Sequence, residues 1–377
     1  MNMKKRYFEK TNAETSLLGF GCMRFPVLED GSIDEELTFK MLDKAYAEGV
    51  NYYDTAYTYH EGTSEVVLGK WLKTKPRESV YVVSKSPMWN IKKPEDFDTI
   101  LDEQLQKLQV EYLDFYLLHC LDKEKWAMVQ EFKLLDRAEA AKKAGKIKRI
   151  GFSFHDDYEV FETILNSYDW EFCQIQFNYM DTTIQAGIKG YELAKSKHIP
   201  MVIMEPVKGG QLANVPDEIK SVFQKMHLDW SDASWALRFV ASFDNVYCVL
   251  SGMSDMSQVE DNLNTFHEFE PLNHDEMNVI AQAKQLFDAR IQVPCTGCRY
   301  CMPCPFGVNI PRNFQILNNA CIYNRIEKGK KQYERLEGKA ELCQKCGACM
   351  AQCPQHIEIP VMLEKVHDTL TTIKGSN

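Results

Sequence analysis

The sequence predicts an α/β fold, in which a closed (β/α)8 TIM barrel of parallel strands is followed by a smaller helical domain. Three observations lead to this prediction. Short apolar or β-branched runs alternate with longer helical patterns over about residues 16–266. The predicted strands are too apolar to have one face in water, as in parallel sheets that helices cover on both faces. Eight cysteines lie close together in the last third of the chain.

Eight strands are expected over residues 17–23, 50–54, 80–85, 113–119, 147–153, 173–178, 200–205 and 246–251. Apolar residues recur at helical spacing between them, over residues 34–48, 64–72, 96–108, 125–144 and 184–197. Strand–helix units in series favour a closed barrel. A doubly wound open sheet is the alternative, but Leu18-Gly19-Phe20-Gly21 does not match the glycine-rich fingerprint expected after its first strand.

The cysteines form two sets of four, each followed by proline. The first set, C-x2-C-x2-C-x2-C-P, consists of Cys295, Cys298, Cys301 and Cys304. The second set, C-x2-C-x2-C-x3-C-P, consists of Cys343, Cys346, Cys349 and Cys353. Three thiolates at this spacing can hold one cubane cluster, while the cysteine before proline ligates the other cluster in two-cluster ferredoxins. The sequence therefore predicts two [4Fe–4S] clusters.

Zinc and disulfides fit these cysteines less well. Structural zinc requires two C-x2-C pairs at finger spacing, whereas this chain has two runs of four cysteines. Disulfide frameworks are usual in small secreted domains, whereas this chain has 377 residues. The short spacing before Cys304 leaves open whether one cluster has three protein ligands. Cys321 lies between the sets and is either a substitute ligand or a buried free thiol.

The boundary between the two domains is predicted where the composition becomes cysteine-rich. A helical pattern over residues 275–290 leads into Val293-Pro294, so we place the barrel at residues 1–272 and the second domain at 273–377. Residues 313–319 and 332–336 look helical, and no hairpin signal lies between the cysteine sets. This spacing resembles an α-helical ferredoxin module rather than a compact hairpin ferredoxin.

Charge and hydropathy exclude several classes of partner. A formal net charge of −10 argues against a nucleic-acid surface. No apolar run reaches the roughly 18 residues of a membrane span, and the basic start has no signal-peptide core. Cysteines outside the two sets fit a reducing compartment. We therefore expect a cytoplasmic protein without a nucleic-acid or membrane partner.

Three polar residues end consecutive predicted strands, where barrel enzymes carry their catalytic groups. They are Asp54, Lys85 and His119. Singly they could be a loop cap, an edge lysine and a hydrogen-bonded histidine. Their occurrence on three successive strands favours a catalytic function.

These residues resemble the aldo/keto reductase family. Asp54-Thr55-Ala56-Tyr57-Thr58-Tyr59 is similar to its D-T-A-x-x-Y segment, and Lys85 and His119 stand where its lysine and histidine belong. The segments 235–239 and 251–254, with Asn262, resemble its late helix and cofactor loop. The resemblance covers about residues 10–270, and the whole chain resembles the ferredoxin-tailed subgroup. It implies reduction of an aldehyde or ketone to an alcohol with NADPH or NADH.

Carbonyl reduction explains the four residue types. Hydride transfer builds negative charge on the carbonyl oxygen, and a phenol with a pKa near 10 donates a proton poorly unless its ionised form is stabilised. We expect Tyr59 to be the general acid, Lys85 to stabilise its phenolate and Asp54 to orient Lys85. His119 would position and polarise the carbonyl. Tyr57 is the competing phenol, and its spacing from Asp54 makes it the less favoured choice.

The resemblance also implies the cofactor contacts. Ser153 and Gln174 would hold the nicotinamide carboxamide, with His155 in place of the family's asparagine and Met204 in place of its stacking aromatic residue. The pyrophosphate and adenosine end would be lined by Gly252, Ser254, Gln258 and Asn262. The basic residues that bind a 2′-phosphate in many relatives are missing over residues 252–262. The choice between NADP and NAD therefore stays open.

Three functions remain possible for the whole chain. The barrel could be a carbonyl reductase whose clusters exchange electrons with a partner protein. It could be a reductase with structural or oxygen-sensing clusters. The chain could instead be an electron-carrier subunit whose barrel is a docking scaffold, although four catalytic residue types argue against this alternative.

Overall fold

The computed structural model describes residues 3–267 and 269–372. Strands β1 (Lys5–Phe8) and β2 (Ala13–Ser16) form an antiparallel pair. The next eight strands close a parallel barrel, which confirms the predicted fold class. They are β3 (Leu18–Gly21), β4 (Tyr52–Asp54), β5 (Tyr81–Ser86), β6 (Phe115–Leu121), β7 (Ile150–Phe154), β8 (Phe172–Gln176), β9 (Met201–Met204) and β10 (Val246–Gly252). Strand β10 pairs with β3 and completes the ring.

Helices follow the barrel strands and continue beyond them. Those up to the last barrel strand are α1 (Glu35–Ala47), α2 (Ser64–Leu72), α3 (Asp96–Leu108), α4 (Lys123–Glu131), α5 (Leu134–Lys143), α6 (Tyr158–Asn166), α7 (Gly187–Ser196), α8 (Asp217–Met226) and α9 (Asp232–Ala241). Those after it are α10 (Met256–Phe266), α11 (His274–Ala289), α12 (Ile310–Ile322), α13 (Ile326–Glu334) and α14 (Ile359–Thr371). Short 3-10 helices cover Cys22–Arg24, Tyr59–Gly62, Arg77–Ser79, Met88–Asn90 and Ala340–Leu342.

Aromatic side chains fill the interior of the barrel. Phe115 packs edge-on against Phe172 and near Tyr52 and Tyr247, and all four are fully buried. Burial of each such side chain contributes roughly 1.5–3 kcal/mol. Tyr247 also donates to the carbonyl of Ala13, which ties the β1–β2 pair to this aromatic layer. The carboxyl ends of the strands remain free to carry polar groups.

The contacts within the chain divide it into two units. One unit comprises the residues up to Ala213 together with Asp229–Met277, and the other comprises Asn214–Leu228 and the residues from Asn278 onward. The predicted domain limits of 1–272 and 273–377 stay predictions.

The second unit has its own hydrophobic core. Helices α12, α13 and α14 bury an apolar cluster that includes Phe314, Leu317, Leu363 and Val366. Most cysteines of the two sets pack against this cluster. Arg290 stabilises the same unit through an ion pair with Glu218, at 2.6 Å. No helix of the described residues is long and apolar enough to cross a membrane.

Candidate functional site

The polar residues predicted to be catalytic meet at the carboxyl edge of the barrel. Asp54 ends β4, Lys85 lies near the end of β5, and His119 lies in β6. The parallel register places Asp54 opposite Val83 and Lys85 opposite Leu117, so the three side chains lie on adjacent strands. Tyr59 begins the short 3-10 helix that follows β4.

Lys85 is the centre of this group. Its Nζ donates to Asp54 Oδ1 at 2.6 Å, to the carbonyl of Thr55 at 2.8 Å and to Tyr59 Oη at 3.4 Å. The side chains of Lys85 and Asp54 are 0% and 3% exposed. The rings of Tyr59 and His119 meet edge to face with centroids 6.1 Å apart. The four predicted catalytic residues therefore form one connected set.

Tyr57, the competing phenol, lies elsewhere. Its hydroxyl donates to Glu103 on α3 at 2.7 Å, and the Lys107 ammonium lies 3.9 Å from its ring centroid. The hydrogen bond to Glu103 raises the pKa of Tyr57 to about 12. The contact with Lys85 thus favours Tyr59 as the proton donor.

Burial and charge fix the protonation states of the set. Burial alone would lower the pKa of Lys85, but the Asp54 carboxylate and Tyr59 outweigh it and the pKa is raised. Burial raises the pKa of Asp54 and Tyr59, although the Lys85 ammonium opposes both shifts. Burial and the Lys85 charge lower the pKa of His119 well below 6.5. At neutral pH the phenol is protonated, the lysine is charged and the imidazole is neutral.

A buried polar network holds the strand that carries Lys85. Gln104 on α3 donates from Nε2 to the Lys85 carbonyl at 3.1 Å, to Ser84 Oγ at 2.7 Å and to Glu65 Oε1 at 2.7 Å. Tyr116 donates to the carbonyl oxygen of the same amide at 2.7 Å. These bonds fix the backbone of β5, because each lost partner would leave a buried polar group unsatisfied.

A cleft of about 1140 Å³ opens beside the catalytic set, and we name it the barrel cleft. Asp54, Tyr59 and His119 line it. Seven of the residues predicted to contact the cofactor line it too: His155, Gln174, Met204, Gly252, Ser254, Gln258 and Asn262. Ser153 does not. It is buried, and its hydroxyl accepts a hydrogen bond from the Cys120 amide at 2.7 Å.

The lining of the barrel cleft fits a nicotinamide. Gln174 is buried, its Nε2 lies 3.5 Å from Met204 Sδ, and its Oε1 has no hydrogen-bond partner among the described residues. An unpartnered buried amide oxygen requires a donor, which a carboxamide NH2 supplies. The polarizable Met204 thioether beside it can pack on an aromatic ring face.

The cysteines of the second unit line two cavities. Cys304, Cys343, Cys346 and Cys349 line the larger one, of about 290 Å³, and Cys301 also reaches it. The smaller one, of about 20 Å³, is lined by Cys295, Cys298, Cys301 and Cys353. The last cysteine of each set therefore joins the first three of the other set. Cys321 lines neither cavity.

Within residues 3–267 and 269–372, no three His, Cys, Asp or Glu side chains are placed to hold one metal ion. The crossed arrangement instead fits the ligand pattern of two adjacent cubane clusters. Cys304 lines the same cavity as Cys343, Cys346 and Cys349. Each cavity therefore has at least four cysteines, in spite of the short spacing before Cys304.

The comparisons agree with these two parts of the chain. Residues 17–285 match the aldo/keto reductase family, and residues 294–358 match the 4Fe-4S dicluster domain. The chain belongs to the aldo/keto reductase family. It is therefore an oxidoreductase whose sequence continues, after the barrel residues, into an iron–sulfur dicluster domain.

Relatives of this aldo/keto reductase act on different molecules. L-galactose dehydrogenase of Arabidopsis thaliana is 26% identical over 302 residues, which are 72% of this chain and 90% of the relative. The NADH-specific methylglyoxal reductase of Escherichia coli is 26% identical over 56% of this chain and 69% of its own length. Probable aldo-keto reductase 1 of Glycine max is 30% identical over 37% of this chain, which spans only 42% of that relative.

Solved structures share the fold. An aldo-keto reductase from Bacillus halodurans in its holo form superposes with a TM-score of 0.64 at 24% identity, over 75% of this chain and 96% of that one. An aldo-keto reductase from Klebsiella pneumoniae in complex with NADPH gives a TM-score of 0.62 at 21% identity, over 76% and 95% of the two chains.

Several cleft residues of this aldo/keto reductase escaped the sequence prediction of cofactor contacts. Ser231, at the start of α9, and Asp261, on α10, both line the barrel cleft. Asp261 lies directly before Asn262, which was predicted to contact the cofactor. This adjacency is the feature of the sequence that could have indicated Asp261 as a further cleft residue.

Proposed function

We propose that this chain reduces a small aldehyde or ketone to an alcohol with a nicotinamide cofactor, and that Tyr59 is the general acid. One observation carries the proposal. A protonated Tyr59 hydroxyl lies 3.4 Å from the Lys85 ammonium, which Asp54 holds at 2.6 Å, at the wall of a cleft large enough for a dinucleotide.

Tyr59 supplies the proton that the reaction requires. A nicotinamide held at Gln174 and Met204 would supply the hydride for the carbonyl carbon. Tyr59 Oη gives its proton to the carbonyl oxygen, and the phenolate that remains lies beside the Lys85 ammonium. Asp54 keeps that ammonium in place, so the stabilising charge is already oriented before the reaction begins.

His119 positions the carbonyl. Its imidazole is neutral because its pKa is lowered well below 6.5 by burial and by Lys85. The Trp89 ring packs against it at a centroid distance of 5.0 Å. A neutral imidazole held this way can hydrogen-bond the substrate oxygen without competing with Tyr59 for the proton.

The substrate end of the barrel cleft is partly apolar. Met23 and Trp89 line it and are 50% and 41% exposed. The relatives that reduce methylglyoxal or oxidise L-galactose support small oxygenated carbonyl compounds as the substrate class.

We further propose that the second unit holds two [4Fe–4S] clusters. Cys295, Cys298, Cys301 and Cys353 would ligate one. The other would be ligated by Cys304, Cys343, Cys346 and Cys349. Such clusters carry one electron at a time, whereas a nicotinamide carries two. This difference supports electron exchange with a separate redox partner protein.

The test uses the full-length protein purified without oxygen. Oxidation of NADH and NADPH is followed with a panel of small carbonyls that includes methylglyoxal. Loss of a general acid typically costs 10²–10⁴-fold, so Tyr59→Phe should lower kcat by about that factor. Tyr57→Phe is the matched control and should retain activity, because its hydroxyl contacts Glu103.

Retained turnover in Tyr59→Phe would contradict the assignment. The electron-carrier alternative makes the opposite prediction. There, Cys349→Ala would stop electron delivery to a partner, while Tyr59→Phe would leave delivery intact.

A further inference from the structure

Electrostatics at the far end of the barrel cleft distinguish the two nicotinamide cofactors. The catalytic set follows β4, β5 and β6, whereas Ser254–Asn262 follow β10 and continue into the first turns of α10. Gln174 on β8 and Met204 on β9 lie between these strands in the barrel order. A dinucleotide with its nicotinamide at Gln174 would therefore extend its adenosine toward α10.

Positive charge is scarce along this path. Among the described residues that line the barrel cleft, Arg24 is the single lysine or arginine. Burial lowers the pKa of His60, His119 and His155, so these imidazoles are neutral at pH 7. One cation thus faces the two negative charges of a pyrophosphate.

Arg24 is fixed at the β10 loop. Its carbonyl accepts a hydrogen bond from Ser254 Oγ at 2.9 Å. A methyl group at Gly252 would lie 2.7 Å from Arg24 Cγ, so the arginine stem packs on the glycine backbone. This placement suits the pyrophosphate, which NADH and NADPH share.

The adenosine end carries a carboxylate instead. Asp261 lines the barrel cleft, and its Oδ2 accepts a hydrogen bond from Ser231 Oγ at 2.7 Å. Gln258, one turn earlier on α10, has both ends of its amide occupied. Its Oε1 accepts from the Ser254 amide at 2.9 Å and its Nε2 donates to Asp255 at 2.6 Å.

These groups suit an adenosine without a 2′-phosphate. Ribose hydroxyls and the adenine amino group are donors that a carboxylate accepts, as Asp or Glu does toward the ribose in NAD sites. A 2′-phosphate offers only acceptors and adds about −1.5 to −2 charge beside Asp261. Like charges brought together in a partly closed cleft repel each other.

We propose that this chain selects NADH over NADPH and that Asp261 is a specificity-determining residue that rejects the 2′-phosphate. This inference rests on the proposed nicotinamide function. The full-length wild-type protein should bind NADH about 100-fold more tightly than NADPH, the order of discrimination that a pocket reaches against a molecule with one extra polar group.

The experiment measures dissociation constants by calorimetry, without substrate, in wild type and in two variants. Asp261→Asn removes the charge and keeps an acceptor for Ser231. It should tighten NADPH binding about tenfold and change NADH binding less than about threefold. Glu260→Gln is the matched control, because it removes the same charge from an exposed position of α10 outside the cleft lining.

Salt provides a second readout. In about 0.5 M salt, the ratio of the NADPH to the NADH dissociation constant of the wild-type protein should become smaller. Salt screens the repulsion between Asp261 and the 2′-phosphate, because both charges are partly exposed. Equal binding of both cofactors by wild type, or an unchanged ratio in Asp261→Asn, would overturn the selectivity alone. Binding of neither cofactor would overturn the proposed nicotinamide function together with it.

Discussion

Burial sets the protonation states of the polar side chains at the mouth of the barrel. Tyr59 keeps its proton above its ordinary pKa because ionisation would place a phenolate in a desolvated site near Asp54. The pKa of His119 is lowered, first because burial disfavours the charged imidazole and then because a second cation would lie near Lys85. Each group is therefore in its working form over a wide pH range.

A flat pH profile follows from these two shifts. Because the pKa of Tyr59 is raised above 10.0 and that of His119 is lowered below 6.5, neither group titrates between these values. We expect kcat/KM for carbonyl reduction to stay level from about pH 6.5 to about pH 10. Initial rates under anaerobic conditions test this. An apparent pKa inside the window that disappears in His119→Gln would contradict it.

Single residues were predictable where a motif places them at strand ends. Asp54, Lys85 and His119 needed only their positions in three consecutive strands, because parallel strands end at one edge. Ser153 was less predictable, since the Cys120 amide that occupies its hydroxyl belongs to a strand far away in sequence. Asp261 was overlooked because it is one of two adjacent acidic residues on α10, and the sequence does not show which of them faces the cleft.

Helix α2 shows how one glycine governs the packing of an element. A methyl group at Gly69 would lie 2.5 Å from the Lys107 carbonyl oxygen and 2.8 Å from Leu108 backbone atoms. Helices α2 and α3 therefore approach each other at their backbones. The same α3 carries Gln104, which holds the Lys85 carbonyl.

Gly69→Ala should destabilise the barrel by about 1–3 kcal/mol, the usual cost of an extra methyl group in a packed contact. Chemical unfolding followed by near-UV circular dichroism measures the change. Lys73→Ala is the control, because this exposed residue at the end of α2 should alter stability by less than about 0.5 kcal/mol. A Gly69→Ala protein as stable as wild type would contradict the close backbone contact.

Elements were predictable in number but not in every boundary. All eight barrel strands lie within or beside their expected ranges, because each is a short apolar run. The helix expected over residues 125–144 is broken at Lys133, whose left-handed φ of 52° no glycine or proline announces. The β1–β2 pair was missed because Lys5–Phe8 alternates exposed and half-buried residues without an apolar face.

At the scale of the whole molecule, the two cysteine sets are interleaved. The motif predicted that the cysteine before each proline ligates the cluster of the other set. In the structure, that cysteine lines the same cavity as the first three cysteines of the other set. The spacing alone could not predict which cavity Cys304 lines. That depends on where the fold brings Pro305 and the cysteines of the second set.

Paired substitutions distinguish crossed from uncrossed ligation. Cys295→Ala with Cys353→Ala should remove one cluster, so iron falls from about eight to about four per chain. Cys295→Ala with Cys304→Ala should damage both clusters, because these two cysteines line different cavities. Cys321→Ala is the control and should keep full iron, because Cys321 lines neither cavity. If the first pair lost all iron and the second lost half, crossed ligation would be wrong.

The most direct measurement follows a deuterium label from the nicotinamide to the alcohol. The full-length protein is given cofactor deuterated at the transferring C4 position and the best carbonyl of the panel, and the alcohol is analysed by mass spectrometry and NMR. Hydride transfer in the barrel predicts one deuterium on the former carbonyl carbon when the cofactor carries the label. When the cofactor is unlabelled and the solvent is D2O, it predicts no deuterium on that carbon. Hydrogen from solvent on that carbon, in place of the cofactor label, would rule out direct hydride transfer from the nicotinamide and would contradict the account.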